Sequence, residues 1–581
     1  MKQNLLPLCL LLAACSATAK PPPAPTVISA ADFGAIPNDG QNDLPALRQA
    51  VAAAVKTPGC RLVIPPGRYD LADADAVALQ AAALGGKMGT NFQDVLFNRD
   101  FKYVTALDFT GADKVTVEAK GVEFLVDGWM EPVSLQQCRG VTLNGLTIDF
   151  KRPPNSEGQI IAVGNGTVDV KFADWCPVTP DMPFLRMMVY DGGAQSLAGE
   201  SFGAGRPQLV APQTLRFPLR NGQCQVGRVL LCWHGFHFRP AILLYGARDT
   251  VMNDITLHAN PGMGVVGHLS DNITMNRLRV VPAAGRHIST NTDATHFVSC
   301  RGLVRFDHCA FAGQGDDATN LHGFYTDILT VQPGNRCVLA TPRRFETHSV
   351  KRDFPRIGDT LALVRRATLE EAGYVRVKSV ELSEKDWSYT ITYEGDMPAD
   401  NGNYLVANVT ALPALEFVNC QVRSHRARTV LVKTRKVLIE GCSIQNSTGT
   451  AIDIAAEGNW MEGVCAADVV VRNNQITHCG LGGPNDGTID GASAVSVEVN
   501  APNRGVPGLI KRLLIENNTI TGGHHAISIR SAGDVTVRGN TFREIRSDPV
   551  RVQTSERVWV TGNQGAPDAK LGAEPALPVL H

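Results

Sequence analysis

A repeat of 22 to 23 residues governs what this chain can fold into. Short runs rich in valine and isoleucine, each closing on an asparagine or a cysteine, recur at 439–442, 471–474, 515–518, 537–540 and 560–563. Asn518 and Asn540 are 22 residues apart, Asn540 and Asn563 are 23, and Cys420 and Cys442 are again 22. Asn474 to Asn518 is 44, which is two coils, or one coil carrying the Gly/Pro/Asn-rich loop 480–508. A unit this short cannot bury its apolar side alone, but stacked copies bury a continuous core, as in a parallel β-helix. Similar runs occur earlier, at 115–117, 141–143, 251–255, 273–275 and 304–306. The length of 581 residues is too great for one ordinary compact core, whereas a solenoid grows by repetition. With 55 glycines and 6% aromatic residues, the chain has the make-up of a turn-rich β protein. The expected fold is therefore all-β, a right-handed parallel β-helix.

Two stretches interrupt the period. Residues 156–238 and 326–412 hold alternating segments, such as 167–170, 229–231, 360–364 and 389–393, and both return to a solenoid strand at their far ends. They are expected to be inserted antiparallel β units resembling small barrels. The resulting division is 27–155 for an N-terminal cap and the first coils, 239–325 for coils bearing the site, 413–565 for the C-terminal coils, and 566–581 for a tail. Within the cap, the Ala-rich amphipathic stretch 44–55 reads as a helix over the open end of the solenoid, which otherwise exposes core and strand edges.

The first 26 residues read as an export signal and tether. Lys2 precedes the apolar run 5–12, and Leu12-Ala13-Ala14-Cys15 has the form of a bacterial lipobox with Cys15 as the lipidated residue. Ala17-Thr18-Ala19 offers a competing site for ordinary secretion, and Pro21 to Pro25 form a stiff tether. The expected location is thus outside the cytoplasm, anchored by lipid to an envelope membrane, or else periplasmic or secreted. Cys309, Cys420 and Cys442 occupy equivalent places in their repeats, which makes them small buried residues before it makes them disulfide partners. A net charge of −1 does not suit a nucleic-acid partner, and without a CxxC pair a zinc site has little support.

Chemistry concentrates where the triplet Asp-Ala-Thr occurs twice, at 293–295 and 317–319, 24 residues apart. Aligning strands by parity sets Ala294-Thr295-His296-Phe297 over Ala318-Thr319-Asn320-Leu321, then 429–432, 451–454 and 526–529. Phe297, Leu321, Val432, Ile454 and Ile529 share one column, which should face the core. The opposite parity, expected to face solvent, holds His296, Asn320, His322, Lys433 and Asp453. One step before the strand the column reads Asp293, Asp317 and Arg428. Adjacent coils are ~4.8 Å apart, so Asp293, Asp316 and Asp317 gather on one patch with these neighbours.

A lone aspartate in a turn is ordinarily a solvated turn residue. Stacked like charges, however, cost stability unless some are protonated or neutralised. Structural ladders in this chain use asparagine instead, at Asn518, Asn540 and Asn563. Asp293, Asp316 and Asp317 are accordingly the candidate catalytic residues, and His296, Asn320, His322, Arg428 and Lys433 the candidate substrate-binding ones. Crowding should raise the pKa of one carboxyl and supply an acid near neutral pH. Inverting glycoside hydrolysis places acid and base ~6.5–9.5 Å apart, and a retaining pair at ~5–5.5 Å stays open at this stage. No cofactor or metal is required. Trp233, Trp387 and Trp460 are candidates for stacking on a sugar.

Asn291-Thr292-Asp293 and Gly315-Asp316-Asp317 resemble the paired motifs of polygalacturonase-type glycoside hydrolases, on a pectin-lyase-like solenoid. The stronger resemblance is to glycoside hydrolase family 110, through Asn260-Pro261-Gly262-Met263-Gly264, Thr292 to His296, Gly313 to Ala318, and His322-Gly323. It runs from about 30 to 565. It implies a β-helix with two inserted barrels and exo-acting, inverting α-1,3-galactosidase activity on blood group B-type glycans. It also implies Asp316 as general acid, with Asp293 and Asp317 activating water. The partner is then an oligosaccharide or glycoconjugate ending in α-galactose, and the membrane is reached only through the N-terminal lipid. No separate Gly-His-Gly and no Arg-Ile-Lys follows, so a pectic substrate is disfavoured. The alternatives are a polygalacturonase-like or other exo-glycosidase on the same solenoid, and a non-catalytic glycan-binding solenoid.

Overall fold

The computed structural model describes residues 24–88, 101–191, 197–219, 221–340, 352–383, 385–398, 401–481 and 493–580. The lipobox and Cys15 lie outside the described residues. The chain winds as a parallel β-helix whose coils contribute one strand to each of three stacked faces. One such coil runs Thr295–Val298, Arg301–Asp307 and Ala310–Ala312 before the next begins at Thr319. The corners recur because a residue of left-handed backbone ends each middle strand, followed by a buried ladder residue. His308-Cys309, Asn419-Cys420, Gly441-Cys442, Asn473-Asn474, Asn517-Asn518 and Gly539-Asn540 all follow this rule.

The ladder residue is asparagine wherever its amide has a partner in the next coil. Asn474 Nδ2 donates to Asn518 Oδ1 at 2.9 Å, Asn518 Nδ2 to Asn540 Oδ1 at 2.9 Å, and Asn540 Nδ2 to Asn563 Oδ1 at 2.9 Å. Where the column turns to cysteine, Cys442 still donates its backbone N–H to Asn474 Oδ1 at 2.9 Å. All twelve described cysteines are buried free thiols. The helix Leu44–Val55 closes one end by burying Leu44, Leu47, Ala50, Val51 and Ala54, an i, i+3, i+4 stripe. Among the described residues no helix is long and apolar enough to cross a membrane.

Both interruptions of the period are antiparallel units. The first is a seven-stranded sheet in the order Leu197–Phe202, Arg186–Tyr190, Val229–Trp233, Asn155–Gly164, Thr167–Phe172, Thr214–Phe217, Gln208–Ala211. The second is a closed six-stranded barrel. Its strand Thr319–Gln332 pairs with Arg336–Ala340 on one side and Tyr404–Asn408 on the other. Ser388–Glu394, Glu371–Leu382 and Thr360–Arg365 complete the ring. Thr319–Gln332 thus starts on the solenoid and ends in the barrel wall. The barrel is fixed to the coils beneath by two guanidinium clamps, Arg301 on Asp359 (2.8 and 2.6 Å) and Arg356 on Asp271 (2.7 and 3.0 Å).

Candidate active site

The register between coils is the one read from parity. Thr295 pairs with Thr319, His296 with Asn320 and Phe297 with Leu321; these continue to Val430, Leu431 and Val432, then to Ile452, Asp453 and Ile454. Phe297, Leu321, Val432 and Ile454 are buried in the core. The opposite face departs from expectation. His296, Asn320, His322, Lys433 and Asp453 point away from the solenoid core, yet all are buried. Asn320, His322 and Lys433 are roofed by a hairpin, in which Ile452–Glu457 folds back on Glu462–Gly463, itself paired antiparallel with Gly323 and Phe324.

Asp293, Asp316 and Asp317 meet as expected. One oxygen from each lies within 4.8 Å of the other two. This is closer than the ~6.5–9.5 Å expected of a simple inverting pair, because Asp316 and Asp317 leave one turn while Asp293 hangs above them from the preceding coil. Asp316 is the most open of the three, its side chain 25% exposed against 7% for Asp293 and 5% for Asp317. Gly315 allows the turn to sit so tightly, since a Cβ there falls 2.2 Å from the Asn291 carbonyl and 2.5 Å from Trp233 Nε1.

Each carboxylate has its own counter-group. Arg426 Nη1 is 2.9 Å from Asp316, and Arg186, from the first insert, is 3.8 Å away. Arg428 donates its backbone N–H to Asp317 Oδ1 at 2.9 Å and Nη2 to Oδ2 at 3.2 Å, and extends to Glu457 at 2.8 Å and Asp453 at 3.4 Å. Asp293 meets His296 Nδ1 at 2.7 Å, His296 Nε2 meets His322 Nε2 at 2.8 Å, and His322 Nδ1 meets the Gly323 carbonyl at 2.9 Å. Lys433 closes the set, with Nζ 3.2 Å from Asn320, 2.5 Å from Glu457 and 2.6 Å from Glu462.

Burial, with Asp317 and Asp316 adding to it, holds Asp293 well above the usual carboxylate range. Burial also raises Asp317, to about 6, against the pull of Arg428 and with Asp316 adding to the rise. Asp316 goes the other way: burial is outweighed by Arg426 and Arg186, which hold it below its ordinary value. The crowding expected from sequence therefore raises two members of the trio, and neither is Asp316. Burial lifts Asp453 to about 7. Six acidic groups (Asp293, Asp316, Asp317, Asp453, Glu457 and Glu462) face four cations (Arg186, Arg426, Arg428 and Lys433). Protons on Asp293 and Asp453 bring that balance to zero.

Among the described residues, the oxygens of the trio also lie compactly enough for a cation. Arg426 and Arg428 already neutralise two of the three, which argues against a metal there. Of the tryptophans, Trp233 is buried against the turn, Trp387 lies under Arg352 and Trp460 is exposed at the hairpin tip. Sequence reading missed Arg186, Arg426, Glu457 and Glu462. Arg426 carried a signal, because Arg426-Ala427-Arg428 stands one coil below Gly315-Asp316-Asp317 and offers a cation to each aspartate.

No protein-family model matches the chain. The sequence is 25% identical over 556 residues to α-1,3-galactosidase B of Bacteroides thetaiotaomicron, covering 89% of this chain and 86% of that protein. It is 26% identical over 575 residues to α-1,3-galactosidase A of Bacteroides fragilis, covering 94% and 91%. The chain is a homologue of the glycoside hydrolase family 110 enzymes. Like them it is a glycosidase. Among solved structures it is similar to a Thermotoga maritima exopolygalacturonase, with a TM-score of 0.40 and 11% identity over 95% of both chains. It is also similar to an A-module of an Azotobacter vinelandii mannuronan C-5 epimerase, with a TM-score of 0.42 and 11% identity over 92% of this chain and 100% of that one. The family 110 resemblance first carried by a few motifs thus extends over most of the sequence.

Proposed function

We propose that the protein is an exo-acting, inverting α-1,3-galactosidase that releases terminal α-1,3-linked galactose from blood group B-type or related glycans. The observation that carries this is the trio Asp293, Asp316 and Asp317, set on two successive coils. It occurs in a chain with α-1,3-galactosidase relatives over 94% of its length. A roofed site suits a terminal sugar better than the middle of a polymer. The cations of the site are already paired with carboxylates, which suits a neutral sugar better than a uronate.

In this reading the trio works as one titrating unit. Asp316, the most open member, protonates the leaving oxygen. Asp293 and Asp317 hold the attacking water: a molecule hydrogen-bonded at ~2.7 Å to each of two oxygens bridges a gap of up to 4.8 Å. In the empty site the proton resides on Asp293, and sugar binding moves it to Asp316. When the C1–O bond breaks, the leaving oxygen takes that proton while water gives one back to the Asp293–Asp317 pair. The trio ends each turnover with the one proton it began with.

NMR-followed hydrolysis of a branched and a linear α-1,3-galactoside tests the proposal. Free galactose should appear first as the β-anomer; α-anomer first, or no release from either substrate, rejects it. We further propose that the protein acts at a bacterial envelope through a lipid on Cys15, supported by the Leu12-Ala13-Ala14-Cys15 motif and the proline-rich tether. Labelled palmitate should enter the wild type and not Cys15→Ala; equal labelling rejects the anchor.

A further inference from the structure

Behind Asp293 runs a chain of hydrogen bonds whose direction is fixed at its far end. The Gly323 carbonyl only accepts, so His322 Nδ1, 2.9 Å away, carries a hydrogen. Next, His322 Nε2 and His296 Nε2 face each other at 2.8 Å, a distance that needs one hydrogen between them. Last, His296 Nδ1 and Asp293 Oδ2 stand 2.7 Å apart and again share one hydrogen. Three contacts thus hold three hydrogens. Two neutral imidazoles carry two, and a carboxylate carries none.

We propose that Gly323, His322, His296 and Asp293 form a one-proton relay, in which His322 acts through His296 to keep one proton on the catalytic side of the site. This rests on the galactosidase reading and deepens it. Three arrangements satisfy these three contacts. The proton sits on Asp293 with both imidazoles neutral, or on His296 as imidazolium beside an Asp293 carboxylate, or on His322 as imidazolium. Passing from one to another moves hydrogens along existing bonds and changes no total charge. Removing the proton leaves two bare Nε2 lone pairs face to face.

The surroundings favour the Asp293 end. Asp293 feels the charges of Asp317, Asp316, Glu462 and Arg428; His322 faces Glu462 at 3.8 Å and feels Lys433 and Asp353 as well. Burial lowers His322 and raises Asp293, both of which push the proton toward the trio. The relay therefore supplies the resting proton of the cycle, and sets how far pH can rise before the site loses it.

His322→Gln removes the constraint, since a side-chain amide can donate to His296 Nε2 and let His296 donate to an unprotonated Asp293. The alkaline midpoint of kcat/KM should then fall by about one pH unit or more, a tenfold or greater loss in proton affinity. A midpoint that does not move overturns the proposal. A second measurement needs neither turnover nor a variant. In ¹⁵N-histidine-labelled wild type, one far-downfield proton bonded to a histidine Nε2 should resist exchange; its absence overturns the relay. Hydrolysis without that resonance rejects the relay alone, and the resonance without hydrolysis supports the relay while rejecting the galactosidase reading.

Discussion

Arg428 grips Asp317 from two directions, with its backbone N–H on Oδ1 at 2.9 Å and its guanidinium on Oδ2 at 3.2 Å, while the same guanidinium reaches Glu457 at 2.8 Å. One buried cation thus serves a carboxylate of the trio and the roof of the site. Deleting one member of such a buried set leaves charges uncompensated and costs about 3–5 kcal/mol. Arg428→Ala should lose stability of that order in chemical denaturation. Arg428→Lys should recover only part of it, because an ammonium cannot span partners that the planar guanidinium fork reaches at once. Full recovery with lysine would show that charge alone matters there.

Asp316→Asn should keep the fold, since the side chain is partly open and its backbone turn is held by Gly315. Turnover of a natural galactoside should fall by ~10²–10⁴, the usual worth of a general acid. An aryl galactoside with a strongly acidic leaving phenol needs no proton from the protein, so its rate should fall far less. Asp293→Asn and Asp317→Asn should lose both substrates alike. Kinetics on the two substrates check the assignment, and equal losses for Asp316→Asn would remove it from the acid role.

Much of this was legible in sequence because a solenoid turns local spacing into spatial stacking. The column Phe297, Leu321, Val432 and Ile454 could be written down without a structure, and with it the convergence of Asp293 with Asp317. What sequence parity does not encode is what covers the outward face. His296, Asn320, His322, Lys433 and Asp453 have the parity of surface residues and are all buried, and the hairpin carrying Glu457 and Glu462 folds over three of them, Asn320, His322 and Lys433. That pairing joins Phe324 to Glu462 across more than a hundred residues of insert and coil. For the same reason Arg186, delivered by the first insert, left no mark near the aspartates it faces. Which carboxyls crowding raises was hidden too, because that depends on which aspartate the arginines reach.

Asp453 gives a test on stability. Burial raises it to about 7 in the folded protein, whereas an unfolded aspartate titrates at ~3.9. Between those values the folded state holds a proton that the unfolded state has lost, so its contribution to stability is full below ~4 and is lost as pH rises through about 7. Asp453→Asn removes that titration while keeping shape. Its stability relative to wild type should therefore improve from pH 5 to pH 8, read as the difference in thermal midpoint at each pH. A constant difference would mean that Asp453 is ionised throughout.

Glu157 ties the first insert to the segment that leads into Asp293. Its Oε1 accepts the backbone N–H groups of His287 (2.7 Å) and Ile288 (2.9 Å), and its Oε2 meets His287 Nδ1 at 2.7 Å. Asn291, four residues on, is held in turn by the Gly235 carbonyl at 2.7 Å. Glu157→Ala strands the buried N–H of Ile288, at about 1–3 kcal/mol, together with the half-buried N–H of His287, and frees the segment that leads into Asp293. A shift of about 1 Å in a reacting group can cost ~10²-fold in rate. The alanine variant should therefore lose kcat by ~10–10² along with thermal stability, although Glu157 is not one of the trio. Glu157→Gln keeps an acceptor oxygen for the two N–H groups and should retain most of both. If alanine lowers the thermal midpoint but leaves kcat intact, Glu157 holds the insert without aiming Asp293.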